Sequence, residues 1–123
     1  VGIVSAQYMK DPTDPQWAND PAMREWLEFM KKYDPDGNTK DYMLVLATTQ
    51  AQVMTQILQA AGQDLSRENL MRQALSLKDL QMPLLLPGIK INTSQTDYQP
   101  IKQMQMMRFD GTRWQLFGGV LSK

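Results

Sequence analysis

The sequence predicts an α/β chain, ordered as one strand, three helices and then a small antiparallel sheet, as if a larger α/β protein had been cut partway through. Three observations carry that expectation. The opening Val1–Tyr8 is rich in β-branched residues and lacks a helical period. Three stretches between residues 20 and 75 repeat their apolar side chains at helical spacing. After residue 87 the period drops to two, and Asp110-Gly111 marks a hairpin.

Val1–Tyr8 reads as a short strand, and nothing in the chain supplies the βαβ partner that a parallel sheet would need. It is therefore expected to be an unpartnered edge. The chain opens on Val-Gly-Ile-Val, with neither an initiator Met nor a basic, apolar leader. The expectation is a fragment that starts within a strand of a larger fold, the plainer reading being a trimmed domain. Lys10–Gln16 contains two Asp-Pro steps and should be an extended connector, because proline disfavours the helical region for the residue before it.

Asp20-Pro21 then starts a helix, with Asp20 as cap and Pro21 in the first helical position. Met23, Trp26, Leu27 and Met30 form its buried stripe. Tyr33–Lys40 is a turn region. Asp41–Ala61 predicts a long helix closed by Gly62. Its first half is apolar on nearly all faces and should be buried, while its second half narrows to Val53, Met54, Ile57, Leu58 and Ala61. Asp64 or Ser66 can cap a third helix over about Arg67–Leu75, with Leu70, Met71, Ala74 and Leu75 inward. Gly88–Asn92 and Ile101–Phe109 alternate as half-buried strands do, and Arg113–Phe117 supplies the return strand.

Composition closes several function classes. Of 123 residues 42% are apolar and 21% charged, and thirteen basic side chains balance thirteen acidic ones. No basic stripe is present, so no nucleic-acid partner is expected. The longest apolar runs, Met43–Ala47 and Met82–Ile89, fall far short of the roughly 20 residues that cross a bilayer, so direct membrane insertion is not expected either. The absence of cysteine and histidine removes thiol nucleophiles, His-dependent triads, disulfides and most zinc sites.

Few residues suggest chemistry. Asp34, Asp36, Gly37 and Asn38 resemble a calcium loop, but position six from Asp34 is Thr39 and position twelve is Val45, where glycine and a bidentate glutamate are needed. A polar turn is the expectation. Asp11, Asp14, Glu25 and Glu28 read as solvated carboxylates, and the ten methionines read as core filler. No metal or cofactor is implied. Trp17, Tyr33, Tyr42 and Tyr98 stand at element boundaries, where rigid rings either line ligand sites or cover the local core.

Gly2–Asp14 (GIVSAQYMKDPTD), the helix ending at Gly62, the Asp64–Asn69 helix start, Leu84–Thr93 (LLLPGIKINT) and Gln103–Phe117 (QMQMMRFDGTRWQLF) agree in order and spacing with one family. Over nearly its whole length the chain resembles the C-terminal portion of ABC-transporter periplasmic solute-binding proteins of the branched-chain amino-acid-binding (Leu/Ile/Val-binding protein) type. The resemblance implies a type I periplasmic-binding-protein fold, two α/β lobes joined by a hinge, to both of which this chain contributes. Residues 1–8 would be the last strand of the second lobe, 9–14 a hinge crossing, 15–86 the helical part of the first lobe, 87–93 the crossing back and 94–123 the second lobe's antiparallel hairpin.

That resemblance also implies a substrate-binding component of an ABC importer, located in the periplasm and without enzymatic activity. Its partners would be a small-molecule ligand, a membrane permease and the missing N-terminal part of the same protein. The ligand would be an amino acid or a small carboxylate, aromatic ones included, caught by hinge closure. Most ligand contacts of the family lie upstream of Val1. Inside the chain, Tyr42 matches the aromatic that enters the long helix after the hinge, and Met43 is the alternative within one position. Tyr8, at the hinge, is placed at the cleft floor by position alone. The competing expectation is a stand-alone protein–protein interaction domain using the 20–33 helix or the hairpin edge. An enzyme working through carboxylates or lysine would need several acids converging in one concave site.

Overall fold

A computed structural model describes all 123 residues. The opening residues form strand β1 (Val4–Gln7). In the connector that follows, the Asp14 carboxylate accepts a hydrogen bond from the Gln16 amide and starts a single 3-10 turn, Pro15–Trp17. The connector is therefore turned as well as extended, because Asp14 satisfies the free amide that an extended run would leave to solvent. Helix α1 (Pro21–Tyr33) begins where expected: the Asp20 carboxylate accepts from the Met23 amide at 3.0 Å, with Pro21 behind it. Helix α2 spans Tyr42–Ala61, capped by Asp41 and closed by Gly62 at φ 62°. Helix α3 (Arg67–Ala74) is capped by Ser66, whose hydroxyl accepts from the Asn69 amide.

The long stretch after α3 is not a strand. Gly88–Asn92 contributes isolated bridges only, Ile91 meeting Leu80 on one side and Ile101 on the other. The alternation of GIKIN reflects a half-buried extended segment whose neighbours each touch it at one point. Strands β2 (Gln103–Phe109) and β3 (Trp114–Ser122) make the hairpin around Asp110-Gly111. The Asp110 carboxylate accepts from the amides of Thr112 and Arg113, which fixes the turn.

β1 has a partner, contrary to expectation. The sheet order is β1-β2-β3, fully antiparallel, with Val4 opposite Arg108 and Gln7 opposite Gln105. An antiparallel neighbour needs no crossover helix, so the lack of a βαβ unit did not leave the strand alone. Its hydrogen bonds on that side close within the chain. Covering its faces is another matter. One sheet face, carrying Gln7, Met107, Trp114 and Leu116, turns toward the helices, and Leu116 and Val120 pack on the core. The opposite face carries Val4, Met104, Phe117 and Leu121, all exposed. Gly118 and Gly119 add two residues to β3 opposite the Gln105–Met106 step, and an even insertion preserves which face each side chain points to.

The core is centred on irregular backbone. Met82, Leu84, Leu85, Leu86, Ile89 and Ile91 are buried, and Met9, Met23, Trp26, Met30 and Val45 close around them. Leu27, expected in the α1 stripe, is 38% exposed. The first half of α2 is not buried all round: only Val45 and Thr49 are, while Met43 and Ala47 face outward, since α1 and the 82–91 segment cover only part of the helix. In the second half Ile57 and Ala61 are buried, Met54 and Leu58 exposed. In α3 the buried side chain is Asn69, with Met71 exposed.

The accessible surface is 8257 Å² for 14.1 kDa. A compact monomer of that mass exposes about 6,700 Å². The chain therefore leaves about 1,500 Å² more in contact with solvent than a self-contained domain does, much of it the apolar sheet face and the outer sides of α2.

Candidate functional site

Two stretches of chain cross between the helices and the sheet, and they lie side by side. The Lys10 amide donates to the Leu84 carbonyl and the Leu86 amide to the Tyr8 carbonyl, both at 2.9 Å, with Met9 opposite Leu85. Met9, Leu84, Leu85 and Leu86 are almost fully buried, which locks this pairing in a dry environment. Lys10, only 6% exposed, reaches the other way: its ammonium bonds both carboxylate oxygens of Asp20 at 2.8 Å and lies 5.2 Å from the Trp17 ring centre. The crossing segment is thus tied to the start of α1.

Beside this crossing sits a cavity of about 130 Å³. Met9 and Leu86 form its floor, while Met107, Trp114 and Leu116 of the hairpin form one wall. Trp17, Tyr42, Asp11, Asp14 and Gln7 complete it. Each wall comes from a different element, so the cavity exists only because the crossing brings the start of α2 against the sheet. The Tyr42 hydroxyl donates to the Gln7 side-chain oxygen at 2.7 Å, and that oxygen also accepts from the Tyr8 amide. Burial foremost, and then the nearby Tyr8 phenol, hold the Tyr42 phenol well above its ordinary pKa, against the hydrogen bond to Gln7. Tyr42 is a neutral donor at any physiological pH.

The three residues singled out in the sequence end in different places. Tyr42 lines this cavity. Tyr8 lies close enough to act on Tyr42 electrostatically, yet it lines a second, apolar cavity of about 250 Å³ on the far side of the crossing, with Leu46, Val53, Ile57 and Ile101. Met43 is 58% exposed and lines neither. Of the other boundary aromatics, Trp17 lines the cavity, whereas Tyr33 and Tyr98 are exposed and do not line it.

Gln7, Asp11 and Trp114 were missed as site residues. Gln7 and Trp114 sit in strands, where sequence alone gives the alternation but not what lies opposite. For Asp11 the only signal was its place in the connector. A third open groove of about 560 Å³ runs between α1 and α2 past Trp26, Phe29, Ala47 and Ala51. No group of three or more acidic side chains converges on a possible metal position, and no helix is long and apolar enough to cross a membrane.

No protein-family profile matches the chain, and no curated protein matches it in sequence. A solved structure does match in shape: a branched chain amino acid ABC transporter from Thermus thermophilus with bound valine, at a TM-score of 0.76 and 12% identity. The match covers 99% of this chain and 34% of that one, so the chain spans about a third of the length of the structure it resembles. The chain has the fold of part of a type I periplasmic binding protein.

Proposed function

We propose that this chain is the C-terminal portion of the substrate-binding component of an ABC importer, a receptor that captures a small molecule between two lobes and hands it to a membrane permease. The observation that carries the reading is the shape match over 99% of the chain to a third of a branched-chain amino-acid transporter structure. The surface excess of about 1,500 Å² agrees with it, since that is what remains when a two-lobed protein's other parts are not in place. The two crossings, residues 9–14 and 87–93, then form hinge strands. Residues 15–86 belong to the first lobe, and 1–8 with 94–123 to the second. The protein works in the periplasm, by binding and release and without catalysis. Ligand shifts the lobes toward a closed state by binding that state more tightly, and the permease reads the closed state.

The ligand class is an amino acid or a small carboxylate, aromatic ones included, and Tyr42, with Tyr8 and Met43 near it, contributes from the hinge side. A thermal-shift screen of the two-lobed protein against amino acids and aromatic carboxylates tests this. Ligand at a hundred times its Kd stabilises by about 2.7 kcal/mol, enough to raise Tm by a few degrees. A flat screen at millimolar concentrations sinks the proposal.

A second reading, a stand-alone protein–protein interaction domain, has one observation in its favour: all three strands pair inside the chain. It requires the isolated chain to be a cooperatively folded monomer, an outcome that the uncovered sheet face opposes.

A further inference from the structure

We infer that the 130 Å³ cavity beside the crossing takes the positively charged ammonium end of the captured ligand, an inference that rests on the receptor reading and narrows its ligand class. Three aromatic rings, Trp17, Tyr42 and Trp114, line one small space together with two carboxylates, Asp11 and Asp14. Ring faces are negative and attract cations, most strongly where water is excluded.

Every formal charge on the cavity wall is negative. Neither neighbouring cation lines the cavity. Lys10 is paired with Asp20 at 2.8 Å and already lies 5.2 Å from the Trp17 ring centre, which leaves Tyr42 and Trp114 as the rings open to a ligand cation. Arg113 stands outside, 3.8 Å from Asp14. Asp14 spends its oxygens on Gln16 and faces Arg113. Asp11 does not: one oxygen holds the Thr13 amide and hydroxyl, while the other accepts no hydrogen bond from the protein. That oxygen is a free acceptor for an ammonium proton. No basic side chain lines the space, so a ligand carboxylate would be repelled there and must point away.

Size agrees with chemistry. A water molecule takes about 30 Å³ of the liquid, so the cavity has room for about four of them, or a group of four to five heavy atoms. An alkylammonium tip or a trimethylammonium head fits that description. The walls belong to the connector, the start of α2 and the hairpin, so an occupant would bridge the parts assigned to the two lobes and favour the arrangement that closes them.

Two probe pairs test this in the two-lobed protein by calorimetry and tryptophan fluorescence: 6-aminohexanamide against hexanamide, and choline against its neutral carbon analogue 3,3-dimethylbutan-1-ol. In at least one pair the cationic member should bind tenfold or more tightly than the neutral one, with a change in tryptophan emission. Asp11→Asn and, separately, Trp114→Leu should cut that ratio below threefold, each weakening the cationic member more than the neutral one. Equal or tighter binding of the neutral member in both pairs overturns the inference and leaves the receptor reading standing, as does a preference that both variants retain. If no probe, amino acid or carboxylate binds at all, the receptor reading falls and this inference falls with it.

Discussion

Lys10 shows how one residue decides several things at once. A lysine in a connector reads as solvated, yet this one is 6% exposed because the Tyr8–Lys10 run is pressed between Leu84 and the start of α1. Its ammonium is tolerable there only with a partner, and Asp20 is both that partner and the α1 cap. Replacing Asp20 by Asn leaves a buried cation uncompensated and should cost about 3 kcal/mol in urea unfolding. Lys10→Met keeps the packing and leaves the cap in place, so it should stay within about 1 kcal/mol of the parent. Burial pushes the Asp20 carboxyl upward, but the Lys10 bond and the Met23 amide outweigh it and hold the pKa below the ordinary 3.8. Its contribution is therefore fully present above pH 3.8 and is lost as pH falls through the lowered value. The gap between parent and Asp20→Asn should narrow on acidification below that point, and a constant gap down to pH 2 would refute the pairing argument. Asp20-Pro21 was legible as a cap from sequence; that the same carboxylate holds Lys10 was not, because the two meet only through the crossing.

At the level of elements, local chemistry was the better guide. Caps at Asp20, Asp41 and Ser66 and the stop at Gly62 set helix ends within a residue of where the sequence places them, since capping is satisfied by neighbours a few positions away. Gly62 adopts φ 62° and ψ −128°, a backbone state that side chains with a Cβ rarely enter, and an added Cβ there would touch nothing. Gly62→Ala should thus cost roughly 1–2 kcal/mol through the backbone alone, seen as a lower urea midpoint with unchanged slope. Wild-type stability in that variant would mean that the turn between α2 and α3 is free to rearrange. Burial of the elements was less legible. The sequence pointed to Leu70 and Met71, but Asn69 is the buried residue, its amide donating to the carbonyls of Ala61 and Asp64 and so stitching α3 to the end of α2.

For the whole molecule the deciding quantity is surface. A paired sheet with one bare apolar face, plus grooves on both sides of α2, leaves apolar surface of the kind that another copy or the rest of a larger fold covers. Sedimentation of the isolated chain at micromolar concentration should therefore show association or a loose, expanded species. Phe117→Ser combined with Leu121→Thr, which removes two large apolar groups from the bare face, should shift it toward monomer without changing strand content. A sharp, cooperatively melting monomer in the unaltered chain would favour the stand-alone domain instead. The cavity belongs to this scale as well. Its walls are drawn from residues 7 to 116, and no local pattern announces that Trp17, Tyr42 and Trp114 share one space.

By itself the sequence determined the order of elements, the ends of the helices and the hairpin turn, and a resemblance in pattern to part of a two-lobed α/β fold. Those depend on side chains and backbone groups close together along the chain, or on their order. Tertiary structure alone decided that β1 pairs antiparallel with β2, that the core is built on the irregular 82–91 segment, and that a lysine and three aromatic rings gather around the crossing. Each of these joins residues far apart in sequence, where periodicity reports that a face is apolar but carries no information about which distant surface it meets.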